Sequence, residues 1–147
     1  MTIEVILEFL RDHGYANQSE GGLAALHLDK PFAGRALTAQ YMPLRPDMAR
    51  AIEREGKSEG RAGDTNSWPI AELGKGDVYV ADGFGKIVQG TLIGSNLGNA
   101  IAARSATAFV FYGGIRDQEE NREIAGFNGL YLGYDPSDWA QMELTGI

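Results

Sequence analysis

Arg116 and Asp117 stand side by side after an apolar run, Ala108 to Tyr112, and two glycines. A guanidinium is a planar fork of donors that fits a carboxylate or an oxygen gaining negative charge. A carboxylate beside it can hold a hard divalent cation such as Mg2+, which keeps most of its waters and takes few protein ligands. Upstream, Gly94-Ser95-Asn96-Leu97 opens a stretch in which Leu97, Ile101 and Ala102 recur at helical spacing. A glycine turn leading into a helix offers unpaired backbone N–H groups at the positive end of the helix dipole, which suits a carboxylate or a phosphate. Taken singly, each half has an ordinary structural explanation. Arg116-Asp117 can be a surface ion pair or turn, and Ser95 or Asn96 can simply cap the helix while Gly94 permits the bend.

Together the two halves say more. Extended run, glycine turn, helix, strand, glycines and Arg-Asp make a β-α-β unit, right-handed by the ordinary rule. Such a unit brings the turn at 94–97 and the pair at 116–117 to one edge of neighbouring parallel strands, where open α/β sheets place their ligands. The glycines at 113 and 114 let a backbone or a ligand come close.

The elements that must carry these residues follow from periodicity. Ile3, Ile6, Leu7 and Leu10 predict an amphipathic helix over 3–13, ending near Gly14. Leu23 to Leu28 reads as one more helical turn, and "AGRALTAQYMP" as a strand from about Gly34 to Met42. A helix opens at Pro46, with Met48 and Ile52 on one face, and the charged, glycine-bearing run from Arg54 to Asp64 reads as loop. "WPIAEL" predicts a helical turn opening at Pro69, and Val78 to Ala81 a strand. Ile87 to Thr91 reads as a hairpin partner of that strand, and 108–113 and Leu130 to Leu132 as further strands.

The composition is that of one soluble globular domain: 147 residues, 44% hydrophobic and 22% charged, with glycine abundant. There is no run of about 18 apolar residues to span a membrane and no basic, cleavable leader. The absence of cysteine excludes disulfides, thiolate metal sites and cysteine nucleophiles, and is compatible with a reducing, cytoplasmic setting. A net charge of −7 without a basic stripe argues against nucleic-acid binding.

Other residues fare less well as chemistry. "GFGKIVQG" has glycines without the strand, helix and later acid of a dinucleotide site. His13 and His27 are isolated and not at ligand spacing. Asp82 reads as a turn former, and Glu119, Glu120 and Glu123 as a solvated helix face, with Glu120 close enough to assist Asp117. Trp68 and Trp139 read as core or interface.

Read together, "GDVYVADGFG", "IGSNL", "AFVFYGGIRD" and the upstream "FAGRALTAQYMPLRPD" resemble the RraA-like family, over most of residues 30–135. That family includes 4-hydroxy-4-methyl-2-oxoglutarate aldolases and the regulator of ribonuclease E activity. The resemblance implies an α/β fold of the swivelling β/β/α type in one domain, residues 1–147, with an N-terminal helical segment over 1–30 and the core over 31–147. It implies homotrimers or hexamers with a pocket between subunits, and a lyase that cleaves or decarboxylates a small 2-keto acid with Mg2+ or Mn2+. Carried onto this chain, the amides of Gly94, Ser95, Asn96 and Leu97 would hold the pyruvate carboxylate. Arg116 would stabilise the enolate oxygen, and Asp117 would anchor the metal. The family's other activity implies an alternative, a non-catalytic regulator that binds a ribonuclease or another protein through its oligomeric surface. Family members continue well past the Arg-Asp motif, whereas this chain ends 30 residues after Asp117 on apolar Ile147, which reads as a truncated C-terminal layer.

Overall fold

The computed structural model describes residues 2–147. Its strands form one mixed seven-stranded sheet: β1 (Ala24–Ala25), β2 (Arg35–Pro43), β3 (Asp77–Asp82), β4 (Thr91–Ile93), β5 (Ala108–Ile115), β6 (Asn128–Tyr134) and β7 (Met142–Gly146). The main path runs β1-β6-β5-β3-β2-β7, and β4 pairs with β5 beside it. The middle strands are mutually parallel, while β1 and β7 close the ends antiparallel. The helices are α1 (Ile3–Asp12), α2 (Pro46–Ser58), α3 (Trp68–Glu72), α4 (Ser95–Ser105) and α5 (Gln118–Glu123), with a 3-10 turn over Thr65–Ser67. The chain is thus a mixed α/β domain, as its sequence predicts. Among the described residues no helix is long and apolar enough to cross a membrane.

Strand alternation builds the core. Side chains two apart share a face, so Tyr41, Tyr79, Ala81, Phe109, Phe111 and Tyr131 all turn inward and are almost fully buried. Phe109 and Phe111 lie with ring centroids 4.6 Å apart, and Phe111 meets Tyr79 edge-on at 5.1 Å. The two buried phenols satisfy each other, Tyr41 Oη to Tyr79 Oη at 2.9 Å. Burial disfavours the phenolate and pushes Tyr41 up to about 12.

Three of the elements read from the sequence take a different form. Residues 24–25 pair with Tyr131 and Leu130 as a short strand rather than a helical turn. Helix α2 runs on to Ser58 through Gly56, where a Cβ would stand 2.1 Å from the Trp68 ring. The tryptophan packs on the helix at a distance that no other residue allows, so that glycine extends the contact instead of breaking the helix. Finally, Ile87 to Thr91 is no hairpin partner. The chain turns there, and β4 begins at Thr91 and runs parallel to β5.

At the start of β3 one ion pair is built into the fold. Arg35 donates Nε to Asp77 Oδ1 at 2.9 Å and a second guanidinium nitrogen to Oδ2 at 3.0 Å, and the Gly74 amide donates to Oδ2 at 2.8 Å. Arg35 first, then the Gly74 amide, holds the Asp77 carboxyl below its ordinary range. The unfolded chain therefore takes up this proton at a higher pH than the folded one, so the stabilisation is complete above the unfolded value, about 3.9, and is lost as pH falls below it. Urea melts from pH 6 downward should show this loss, and Asp77→Asn should be less stable at pH 6 and show a flatter acid limb. A variant with the unchanged acid slope would contradict the assignment.

Candidate functional site

Because β4 and β5 are parallel, their carboxyl ends reach the same edge of the sheet. Gly94 follows β4 and caps α4, while Arg116 and Asp117 follow β5 and precede α5. The two segments are tied directly, as the Arg116 amide donates to the Ile93 carbonyl at 2.9 Å. Gly94 is what makes the closer approach possible. A Cβ at that position would stand 2.6 Å from Asp117 Oδ2 and 2.8 Å from Arg116 Nε. Only glycine lets both charged side chains come over the first turn of α4.

The Asp117 carboxylate is the acceptor at that helix start. The Ser95 amide donates to Asp117 Oδ2 at 2.9 Å, and Ser95 Oγ lies 3.4 Å from the same oxygen. Negative charge is favoured there by the aligned peptide dipoles. The sequence reading had offered all amides of 94–97 to a ligand; the protein itself takes the Ser95 amide. The Asn96 and Leu97 amides have no acceptor among the described residues, since the first helical bond is that from Gly98 to Gly94 O. Arg116 Nε is 3.9 Å from Asp117 Oδ2, too long for a hydrogen bond, and the guanidinium is about one-third exposed at 36%. It is near the acid without being spent on it.

Asp117 adopts a left-handed backbone, φ 52° and ψ 48°, a conformation that residues other than glycine, asparagine and aspartate rarely take. Sequence reasoning found Arg116 and Asp117 but missed the residue that holds this turn, Asn121, and its neighbour Gly98. A buried asparagine in a short, charged helix has no periodicity that marks it.

The glycines of β5 receive backbone, not ligand. The Gly83 and Gly85 amides donate to Tyr112 O at 3.0 and 3.1 Å, and the Gly114 amide to Lys86 O at 3.1 Å. The loop between β3 and β4 thus lies across Gly113 and Gly114. Asp82 caps that loop, accepting from the Phe84 amide at 2.8 Å. His13 stacks on Phe9 and bonds its carbonyl, and His27 Nε2 lies 3.1 Å from Arg122 O. Trp68 is core, and Trp139 is packed partly against it.

Whether Asp117 suits a cation depends on its second oxygen. Oδ1 has no donor among the described residues, and the carboxylate is 40% exposed. Asp117, Gln118, Glu119 and Glu120 line one shallow depression with Tyr134 and Pro136. Glu119 is drawn off to Arg122 at 2.8 Å. Among the described residues no three acidic or histidine side chains cluster at metal-binding distance. One free carboxylate oxygen with water completing the sphere fits Mg2+ or Mn2+, which takes few protein ligands, and does not fit a closed Zn2+ site.

The model of the RraA-like family, described as Aldolase/RraA, matches residues 4–137. Among solved structures, the chain is similar to RraAS2 of Streptomyces coelicolor, described as an unusual member of the RNase ES inhibitor RraA protein family. The TM-score is 0.71 at 23% identity, over 100% of this chain and 65% of that one. It is also similar to the RNA-processing inhibitor RraA from Thermus thermophilus, with TM-score 0.64 and 20% identity over 95% of this chain and 74% of that one. An uncharacterized Pseudomonas syringae protein gives 0.68 at 16%, over 99% and 60%. The chain therefore spans about two thirds or less of the length of the first and third of these proteins. No curated protein matches it.

Proposed function

The chain belongs to the RraA-like family, and from that premise we propose that it is a divalent-metal-dependent lyase for a small 2-keto acid, releasing pyruvate by aldol cleavage or decarboxylation. One observation supports this most: the missing side chain at Gly94 lets Arg116 and Asp117 approach the first turn of α4 together. An acid with one free oxygen and a guanidinium then stand beside Gly94, at the start of the helix whose unpaired amides suit an anion.

Each group has a task in that reading. The Asn96 and Leu97 amides, at the positive end of α4, hold the substrate carboxylate. Arg116 donates to the adjacent keto oxygen. When the C3–C4 bond breaks, its electron pair moves through C3 toward that oxygen while the C4 hydroxyl proton passes to water (in oxaloacetate C4 leaves as CO2 instead), and a fixed guanidinium stabilises the charge more in the transition state than in the ground state. Asp117, through its free Oδ1, would hold Mg2+ or Mn2+, and the ion would supply a Lewis acid for the same carbonyl. Asp117 Oδ2 meanwhile keeps its bond to the Ser95 amide and fixes the acid's orientation. Aldol cleavage of a 4-hydroxy-4-methyl-2-oxoglutarate-like substrate and decarboxylation of oxaloacetate pass through the same pyruvate enolate, so one arrangement serves both. A homotrimer or hexamer would supply the remaining walls from a second copy.

The test is pyruvate release from 4-hydroxy-4-methyl-2-oxoglutarate and from oxaloacetate, corrected for decarboxylation by the free metal. Mg2+- or Mn2+-dependent release that EDTA stops is the expected result. No release above the metal-only rate from either substrate would overturn the catalytic reading. Capture of a ribonuclease by both the wild type and Asp117→Ala would then favour the regulator.

A further inference from the structure

We infer that Asn121 is a positioning residue of the site: its side-chain amide, buried against Gly98, sets the left-handed turn that aims Arg116 and Asp117 at the start of α4. Asn121 is fully buried, at 0% exposure. Its Nδ2 donates to Arg116 O at 3.0 Å and to Asp117 O at 2.8 Å, and its own backbone amide donates to Asp117 O at 2.9 Å. Two carbonyls at those distances require the NH2 end of the side chain, because a carbonyl oxygen cannot accept from another oxygen that carries no proton. The orientation of the amide is thereby determined. Its Oδ1 faces the other way and has no hydrogen-bond partner.

What Oδ1 faces is the first turn of α4. A Cβ at Gly98 would stand 2.0 Å from Asn121 Oδ1 and 3.1 Å from Ile124 Cδ1. Gly98 is therefore the seat on which the amide rests, and the same glycine donates its backbone amide to Gly94 O at 2.9 Å. One buried side chain thus touches both halves of the site. It binds the carbonyls of the charged pair, and it abuts the turn whose Ser95 amide receives the Asp117 carboxylate. A leucine has the same branched outline, but its bulkier methyl groups would crowd the two carbonyl oxygens now at 2.8 and 3.0 Å. What it would lack is the two donors that hold Asp117 left-handed.

The catalytic consequence rests on the proposed lyase reading; the geometric one does not. Amide hydrogen exchange in the wild type, Asn121→Leu and Gly98→Ala separates them. Ser95 reports the bond to Asp117, and Ile101, further along α4, reports the helix itself. In Asn121→Leu, Ser95 should lose about 10-fold or more of its protection relative to Ile101, whatever the fall in Tm. Gly98→Ala, which drives a methyl group against Oδ1, should show the same selective loss at Ser95 even if it melts lower. If the wild type releases pyruvate, kcat of Asn121→Leu should fall about 10- to 100-fold, as for residues that orient a metal ligand, with KM changed much less. Unchanged Ser95 exchange in both variants would overturn the inference, as would equal loss at Ser95 and Ile101. A wild type without pyruvate release would defeat the lyase reading and leave the exchange comparison decisive for Asn121.

Discussion

Asp117→Ala should lower metal-dependent pyruvate release by about 100- to 1,000-fold, the effect of losing one preorganised electrostatic group from a reaction centre. Two losses combine in that variant. The Ser95 amide loses the oxygen it donates to at 2.9 Å, and the proposed cation would lose its protein ligand. Asp117→Asn separates them. Asparagine tolerates the left-handed backbone and keeps an oxygen for the Ser95 amide, so its Tm should stay close to that of the wild type while release falls nearly as far as in the alanine variant. In Asp117→Ala the lost cap adds a stability cost of about 1 kcal/mol. Steady-state kinetics and thermal melts on both variants check this. An active Asp117→Asn would mean that the negative charge is not required, and the metal-holding role would fall.

The largest stability effect is expected far from that edge, at Phe109. Its ring is 0% exposed and contacts Phe111 and Phe127 at centroid distances of 4.6 and 5.5 Å. Phe109 lies on β5, between β3 and β6, so neighbours on both sides hold the cavity open once the ring is removed. Phe109→Ala should cost about 3–5 kcal/mol, a fall in Tm of roughly 10 °C or more. Because β5 also delivers Arg116 and Asp117, the proposed lyase activity should fail at a lower temperature in this variant while remaining near normal in the cold. Denaturant melts measure the first effect, and the temperature dependence of release the second. A Tm within about 3 °C of wild type would mean that the aromatic cluster is not the centre of the core.

How much of this was readable depends on what each residue answers to. Helix α1 and strands β2, β3 and β5 carry their own periodicity, and the sequence locates them to within a few residues. The short strand Ala24–Ala25 does not, because two alanines have no strand signal and it exists only by pairing with β6. Strand β7, in "QMELTG", was missed for a similar reason: it is specified by β2 across the sheet. Helix α2 was cut short because glycine read locally is a breaker, and only the Trp68 ring shows why it continues.

The site divides along the same line. The meeting of 94–97 with 116–117 was legible, since parallel strands in a β-α-β unit bring their carboxyl ends together. The capture of the Ser95 amide by Asp117 was not, because it depends on a left-handed turn at a residue that is not glycine. Nor was Asn121, whose duty is visible only once the two carbonyls beside it are placed.

The most direct measurement is a crystal structure of the protein with Mn2+ and oxalate, a planar mimic of the pyruvate enolate. Mn2+ is expected on the Asp117 carboxylate, and oxalate between the Arg116 guanidinium and the Asn96 and Leu97 amides. Oxalate bound elsewhere, or Mn2+ coordinated without Asp117, would contradict the lyase reading.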